Sequence, residues 1–161
     1  KWDLTIARYF NPISNHHTGY LRENSKNLPN NLFPVILNVI KKKTSLLSIF
    51  GKNYNTKDGT CIRDYIHVID LAKGHIQMLK KSKIKKNLKV YNLGSGRGFS
   101  VLEVIKAFEK NLGIKIPFKF TKKRKGDVAQ SYCCTYKAKK ELNWKAEYNL
   151  DKAISDLKKI I

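Results

Sequence analysis

A change of hydrophobic period within residues 58–75 constrains the fold more than any other feature of the sequence. The stretch opens with Asp58-Gly59, a dipeptide typical of tight turns, and continues with an apolar run at 65–68 that favours a strand. From Asp70 onwards the apolar residues recur at helical spacing, and a carboxylate suits the amino end of a helix. The stretch therefore predicts a turn–strand–helix unit, as expected of an α/β fold.

Arg63 lies where the loop of this unit enters the strand. A guanidinium held at such a point can donate two parallel hydrogen bonds to a phosphate, which a lysine cannot do. The alternative is an ion pair with a nearby carboxylate such as Asp64, because surface ion pairs are common and weak. Both interpretations follow from the residues alone.

Six further blocks accompany the segment GTCIRDYIHVIDLAKGH at 59–75: ARYFNP at 7–12, PNNLFP at 29–34, LSIFG at 47–51, YNLG at 91–94, KRKGD at 123–127 and ELNW at 141–144. In this order the blocks resemble the carboxy-terminal half of UDP-glucose 4-epimerases, in the extended short-chain dehydrogenase/reductase superfamily. The RDYIHV block alone marks the superfamily. The PNNL, IFG and R-x-G-D blocks together point to the epimerase.

The resemblance implies an α/β fold: a carboxy-terminal substrate-binding lobe with edge elements of the Rossmann sheet. Parallel strands are expected at 4–10, 64–68 and 89–93. The chain begins at Lys1 without a methionine, so we expect residues 1–161 to be a UDP-sugar-binding fragment whose amino-terminal NAD domain is absent. Residues 4–10, with 63–94 as a further candidate, would belong to the edge of the NAD-binding sheet.

The resemblance also assigns binding residues. The nucleotide diphosphate would contact the helix start at Asn31 and Leu32 and two arginines on separate loops. Asp127 would bind the uridine ribose, and the Phe50 side chain and the backbone at Ser48 would flank the uracil. The implied substrate-binding residues are Asn11, Asn31, Leu32, Ser48, Phe50, Arg63, Arg124, Asp127 and Ser131; Tyr9 and Phe10 would lie near the nicotinamide of NAD.

Each of these assignments has a structural alternative. Residues 9–11 could be an ordinary strand end, Asn31 could simply cap a helix over 32–40, Phe50 could be a core residue, and 122–127 could be a solvated basic turn. For Ser131 the family suggests a further role, since this position sets the room beside the hexose C2 group. A small serine predicts that N-acetylated UDP-hexosamines fit as well as UDP-glucose and UDP-galactose.

Two apparent motifs are rejected. The glycines at 94–98 follow a predicted strand, but the third glycine is one place early for a dinucleotide-binding fingerprint, and 117–120 offers no acidic residue for a ribose. The spacing Tyr-x-x-x-Lys occurs at 136–140 and 148–152, which is expected by chance in a chain with 28 lysines. The catalytic Tyr-x-x-x-Lys of the superfamily is therefore expected outside this fragment.

The net charge of +21 raises the alternative of a nucleic-acid-binding module. However, only five of the 33 basic residues are arginines, and no recognition motif or stacking platform accompanies them. Three cysteines without framework spacing favour free thiols, and adjacent rather than separated His and Cys pairs argue against a metal site. No apolar run approaches the roughly 20 residues needed to span a membrane.

The resemblance thus implies a cytoplasmic, NAD-dependent UDP-glucose 4-epimerase of galactose metabolism, usually a homodimer, acting on UDP-glucose and UDP-galactose. The fragment alone is expected to be inactive. The alternative within the superfamily is another nucleotide-sugar epimerase, dehydratase or decarboxylase.

Overall fold

The computed structural model describes residues 2–21, 29–82 and 88–161. Within these residues eight strands and five helices occur, followed by a single 3-10 turn at Lys158–Ile160. The strands are β1 Leu4–Tyr9, β2 Asn11–Ile13, β3 Leu47–Phe50, β4 Ile62–His67, β5 Leu88–Leu93, β6 Gly98–Ser100, β7 Phe118–Thr121 and β8 Gln130–Ser131. The helices are α1 Leu32–Ile40, α2 Val68–Lys81, α3 Val101–Leu112, α4 Tyr136–Leu142 and α5 Leu150–Leu157.

The predicted turn–strand–helix unit is confirmed as β4 followed by α2. The helix begins two residues before Asp70 because His67 caps it: Nδ1 of His67 accepts the Ile69 N–H at 3.1 Å. Histidine is not among the usual capping residues, so the sequence pattern did not reveal this start. Asp70 lies in the first turn, as expected, but it is fully buried.

The two ends of helix α3 are determined by residues close to them in sequence. Ser100 Oγ accepts the Glu103 N–H at 3.0 Å and a Glu103 carboxylate oxygen accepts the Ser100 N–H at 2.8 Å, which completes the expected capping box. Gly113 ends the helix with a φ of 68°, a left-handed conformation that a glycine adopts without strain. The bounds of α1 are also those that the sequence predicts.

The strands form three ladders. β1 and β5 pair in parallel, from Leu4 opposite Leu88 to Tyr9 opposite Leu93. β4 is the centre of a second ladder and pairs in parallel with β2 and β8 and antiparallel with β6. β3 and β7 form a third, parallel pair. The expectation that β4 shares a sheet with β1 and β5 is wrong among the described residues, since β4 pairs with β2 instead.

The segment ARYFNP connects the first two ladders. β1 ends at Tyr9, Phe10 donates its N–H to the Leu93 carbonyl at 3.1 Å, and Asn11 then begins β2 beside β4. Pro12 lies within β2, because proline is compatible with a short edge strand. The chain therefore passes from the end of β1 directly into β2, which pairs with the strand that carries Arg63.

Two apolar cores lie on opposite faces of β4. Tyr65 belongs to the first, which is built mainly from α1, α3, α5 and β3. Ile66 belongs to the second, which is built from β5, α2, α4 and Trp144. Since successive residues of a strand point to opposite faces, one strand contributes to both cores.

The β1–β5 pair leaves apolar side chains in contact with solvent. Leu4, Ile6 and Leu88 are 54%, 41% and 65% exposed, although each lies in a strand.

In the described ranges, no helix is both long and apolar enough to cross a lipid bilayer.

Candidate functional site

The face of the β4 ladder that carries Arg63 gathers three of the sequence-predicted residues. Asn11 lies opposite Tyr65, and Arg63 lies between Ser131 of β8 and Phe99 of β6. Residues that are paired across strands point to the same face, and so do residues two apart in one strand. Asn11, Arg63 and Ser131 therefore share one face of the sheet.

Asp64 lies on the opposite face and has partners of its own. Its carboxylate accepts N–H groups from Ser95 at 2.8 Å, Gly96 at 2.9 Å and Cys133 at 3.1 Å, and also the Ser95 hydroxyl. The alternative of an ion pair between Arg63 and a carboxylate such as Asp64 is therefore met by another residue: Asp127 Oδ1, not Asp64, lies 3.5 Å from Arg63 Nη2. Burial raises the pKa of the neighbouring Cys133 thiol to about 12, so this thiol stays protonated at neutral pH.

This carboxylate also explains the glycine-rich turn at 94–98. A Cβ on Gly94 would lie 2.8 Å from Asp64 Oδ2 and 2.5 Å from the Cβ of Cys133, and Gly96 has a φ of 77°. The turn donates its N–H groups to Asp64 and leads into β6. Rejecting it as a dinucleotide-binding fingerprint is consistent with this packing.

Arg63, Arg124 and Asp127 meet in one cluster. Asp127 Oδ1 lies 3.5 Å from Arg63 Nη2, and Asp127 Oδ2 lies 3.1 Å from Arg124 Nε. The loop that carries Arg124 and Asp127 also contains lysines at 122, 123 and 125. Two guanidinium groups share one carboxylate, so the cluster has an excess of positive charge and suits a polyanionic ligand.

Arg63 is held far more firmly than Arg124. Its Nη1 donates to two main-chain carbonyl groups, those of Ile62 at 2.9 Å and Val128 at 2.8 Å, and its side chain is only 19% exposed against 51% for Arg124. Within the described parts of the chain, Nε of Arg63 has no hydrogen-bond partner. Nε and Nη2 form one edge of a guanidinium, which can bind a phosphate in a bidentate manner.

Phe50 joins this cluster from β3. The Arg124 guanidinium lies over its ring, 4.6 Å from the ring centroid, and the ring is partly exposed. Ser48 precedes it by two residues on the same face of β3, where it pairs with Lys119 of β7. Phe50 is therefore an accessible ring beside a cation rather than a residue of the core.

The start of α1 lies close to Tyr65 of β4. Asn31 occupies the N-cap position with extended dihedral angles, but its side chain makes no capping hydrogen bond. The expected cap is therefore confirmed in position only, and the exposed amide is available to a ligand together with the N–H groups of the first turn. Phe33 packs against Tyr65 with a centroid distance of 5.6 Å, which brings Leu32 near the Arg63 strand.

Tyr9 and Phe10 lie at the carboxyl end of the parallel β1–β5 pair. The Tyr9 ring is 54% exposed, and its hydroxyl lies 2.6 Å from His75 Nε2 on α2. His75 is a residue that sequence reasoning missed, because its partner is 66 positions away. Ligands of open α/β sheets bind at the carboxyl ends of strands, and Tyr9 offers an accessible aromatic ring at such an end.

The two Tyr-x-x-x-Lys spacings have different surroundings in the structure. The Tyr148 ring stacks on His67 at a centroid distance of 4.6 Å, and Lys152 bonds to Asp156, which in turn lies 3.2 Å from His67 Nε2. These contacts support a structural role for the pair at 148–152. The match at 136–140 lies on the exposed side of α4.

A family model and individual proteins of known function both match nearly the whole chain. The profile of the GDP-mannose 4,6 dehydratase family matches residues 1–157. Over 157 residues the chain is 47% identical to a UDP-glucose 4-epimerase of Cyamopsis tetragonoloba. This alignment covers 97% of this chain and 45% of that protein.

Two solved structures extend the relationship to the fold. The UDP-glucose 4-epimerase of Bifidobacterium longum, in complex with NAD+ and UDP, superposes with a TM-score of 0.92 at 45% identity, covering 96% of this chain and 46% of that one. The UDP-Glc/GlcNAc 4-epimerase of Campylobacter jejuni gives a TM-score of 0.73 at 35% identity, with 98% and 48% covered. These matches confirm the α/β fold predicted from sequence.

The chain spans about half the length of the curated relatives that it matches. It belongs to the GDP-mannose 4,6 dehydratase family, and its sequence and fold match those of UDP-glucose 4-epimerases within it.

Proposed function

We propose that this chain is the UDP-sugar-binding part of an NAD-dependent 4-epimerase that interconverts UDP-glucose and UDP-galactose. The observation that carries the proposal is the cluster of Arg63, Arg124 and Asp127, which unites residues of β4 with those of the 122–127 loop. Relatives at 47% identity are UDP-glucose 4-epimerases, and one solved relative contains UDP and NAD+.

The cluster has the groups that a nucleoside diphosphate requires. The Nε and Nη2 edge of Arg63 and the exposed end of Arg124 donate to the phosphate oxygens, while Asp127 accepts from a ribose hydroxyl. The N–H groups at the start of α1 add a further site for negative charge. Phe50 offers its ring to the uracil beside the Arg124 guanidinium.

The role of the chain in the reaction is to position the substrate. Holding the nucleotide firmly uses binding energy from a group that does not react, while the hexose stays free to present either face of C4. Bound NAD supplies hydride transfer at that carbon. Tyr9 and Phe10 fit the nicotinamide end of the cofactor, whereas the turn at 94–98 does not fit its pyrophosphate, since Asp64 already accepts those N–H groups.

We also propose that the catalytic tyrosine and lysine lie in a part of the protein outside this chain, so that the chain alone is inactive. Both Tyr-x-x-x-Lys spacings here are engaged in packing or lie at the surface. Epimerisation measured on this chain alone should therefore stay at background. Turnover above background would overturn that part of the proposal.

The sugar range is argued from Ser131. This serine is exposed and lies opposite Arg63 in the β4–β8 pairing, so a small side chain borders the site. The Campylobacter jejuni relative is a UDP-Glc/GlcNAc 4-epimerase. We propose that UDP-N-acetylhexosamines are also accepted.

The deciding experiment measures thermal stability of the protein against UDP, UDP-galactose and short duplex DNA, at about physiological salt, where the Debye length of roughly 8 Å damps loose attraction to lysines. Stabilisation by UDP should be lost when Arg63 and Arg124 are both changed to alanine. Arg97→Ala is the matched control, because Arg97 is exposed and stacks on Phe99, 4.8 Å from its ring centroid.

A shift with DNA that is insensitive to Arg63 and Arg124 would contradict the proposal and make the +21 surface the functional feature. UDP stabilisation that survives the double substitution would contradict the assigned cluster. Loss of stabilisation in the double variant, with Arg97→Ala unchanged, supports it.

A further inference from the structure

Tyr9 and His75 form a pair that the substrate site does not use. Tyr9 Oη lies 2.6 Å from His75 Nε2, and the two rings meet edge to face, with centroids 5.3 Å apart and an interplanar angle of 66°. Tyr9 ends β1, whereas His75 lies in the middle of α2. The contact therefore joins the carboxyl end of a strand to the helix that covers it.

The direction of this hydrogen bond follows from the second nitrogen of His75. Nδ1 lies 2.8 Å from the main-chain carbonyl oxygen of Leu71, and a carbonyl oxygen can only accept. Nδ1 therefore carries the hydrogen of the neutral imidazole, and Nε2 is an acceptor. Tyr9 donates its O–H to Nε2, so its phenol oxygen retains lone pairs that face away from the histidine.

The pair fixes an otherwise loosely held side chain. The Tyr9 ring is 54% exposed, so packing alone does not select one rotamer. Anchoring the hydroxyl to a histidine that is itself bonded to the helix backbone removes this freedom. The uncovered side of the ring then presents a fixed surface at the carboxyl end of β1 and β5, beside Phe10.

We propose that His75 is a positioning residue for the epimerase reaction, because it holds the Tyr9 ring as the wall against which the nicotinamide ring of the cofactor rests. This inference rests on the proposed function. Without His75 the wall moves, and a misplacement of about 1 Å at a reacting centre costs up to roughly a hundredfold in rate. Binding of the UDP group is unaffected, since Arg63 and Arg124 bind it elsewhere.

The test uses the full-length enzyme and three single variants. His75→Phe keeps an aromatic ring but removes both nitrogens, His75→Gln keeps one acceptor and one donor, and Tyr9→Phe removes only the hydroxyl. We expect kcat to fall about tenfold or more in His75→Phe and Tyr9→Phe, with KM for UDP-galactose unchanged within about twofold. His75→Gln should recover most of the lost rate.

A double-mutant cycle and a spectroscopic signal separate positioning from a general loss of stability. Because Tyr9 and His75 act as one unit, the double variant Tyr9→Phe/His75→Phe should be no slower than either single variant. The fluorescence of bound NADH should change in the same way in Tyr9→Phe, His75→Phe and the double variant, since each frees the ring beside the nicotinamide. Additive losses in the cycle, or unchanged fluorescence, would overturn the proposal.

Failure of this inference is distinguishable from failure of the proposed function. An unmodified enzyme that neither binds UDP nor epimerises UDP-galactose removes the function and this inference together. An active unmodified enzyme whose Tyr9→Phe variant retains full kcat overturns only the role of His75. Tyr9→Phe is the smallest of the changes, so it serves even if His75→Phe does not fold.

Discussion

The carboxylate of Asp64 and the backbone N–H of Gly96 are joined by a hydrogen bond of 2.9 Å, although 32 residues separate them. The same carboxylate accepts from Ser95 and Cys133, so a single side chain connects β4 to the turn before β6 and to the segment after β8. Asp64 is fully buried, and its carboxylate oxygens accept four hydrogen bonds. It therefore fixes the strand on which Arg63 is displayed.

Asp64→Asn is expected to destabilise the protein by about 2–4 kcal/mol, because an amide –NH₂ would face N–H donors and leave them unsatisfied. Chemical denaturation measures the loss of free energy of unfolding. Asp151→Asn is the control: Asp151 is exposed and accepts one bond from Asn111 at 2.7 Å, which an asparagine oxygen can also accept. Equal effects of the two substitutions would contradict the role assigned to Asp64.

Arg63→Lys is expected to weaken UDP binding by at least about tenfold, or roughly 1.4 kcal/mol. A lysine cannot keep the two main-chain bonds of Arg63 and also donate a bidentate pair to a phosphate. Isothermal titration with UDP measures the change. Arg97→Lys makes the same substitution at an exposed position, so its affinity should match the unmodified protein. An equal loss there would show that the effect is not specific to Arg63.

Ser131→Tyr in the full-length enzyme is expected to lower kcat/KM for UDP-N-acetylglucosamine by more than about tenfold and to leave UDP-galactose nearly unchanged. A bulky ring beside Arg63 would occupy the space that an N-acetyl group needs. Gln130→Tyr places the same ring on the opposite face of β8 and serves as control. Turnover of only the unacetylated sugars by the unmodified enzyme would refute the assignment.

His67 is expected to make stability depend on pH. Burial lowers the pKa of His67 below its ordinary value of 6.5, and the neighbouring carboxylates Asp156 and Asp70 only partly offset this. The unfolded chain therefore binds a proton more readily than the folded one below about pH 6.5, so the folded state loses stability as pH falls through this window, by at most about 1.4 kcal/mol per pH unit.

Denaturation between about pH 7.5 and 5.5 measures this slope. His67→Gln should be less stable throughout but should show a flatter pH dependence, because the titrating group is gone. The exposed His17→Gln is the control and should keep the slope of the unmodified protein. The Asp156 carboxyl does not interfere, since its pKa is lowered: burial opposes ionisation, but hydrogen bonds from Lys152 and His67 outweigh it.

The sequence was informative where the determinants are local. The capping box of α3 and the bounds of α1 follow from residues within one or two helical turns. The family resemblance, rather than periodicity, implied that Arg63, Arg124 and Asp127 surround one ligand. The direct contact of Arg63 with Asp127, 64 positions away, was not predicted.

Strand and side-chain pairs that the family resemblance did not imply were not predicted from the sequence. Apolar alternation identifies a strand but does not choose its lateral neighbour. The strand at 64–68 was therefore grouped with those at 4–10 and 89–93, whereas β4 pairs with β2, β6 and β8. Tyr9–His75 and His67–Asp156 depend on how α2 and α5 pack against strands, and single histidines carry no local signal of that packing.

Because Asp127 bridges Arg63 and Arg124, a ligand must displace its carboxylate to bind both arginines. Its carboxylate already neutralises part of both arginines, so it competes with any anion that approaches them. A simple anion must displace the Asp127 carboxylate and provides no hydrogen-bond donor for it in exchange. A nucleoside diphosphate would bring two phosphates for the arginines and a ribose hydroxyl for the displaced carboxylate. Under the proposed function, the cluster would therefore select its ligand by exchange of partners rather than by charge alone, which suits a surface with so many lysines.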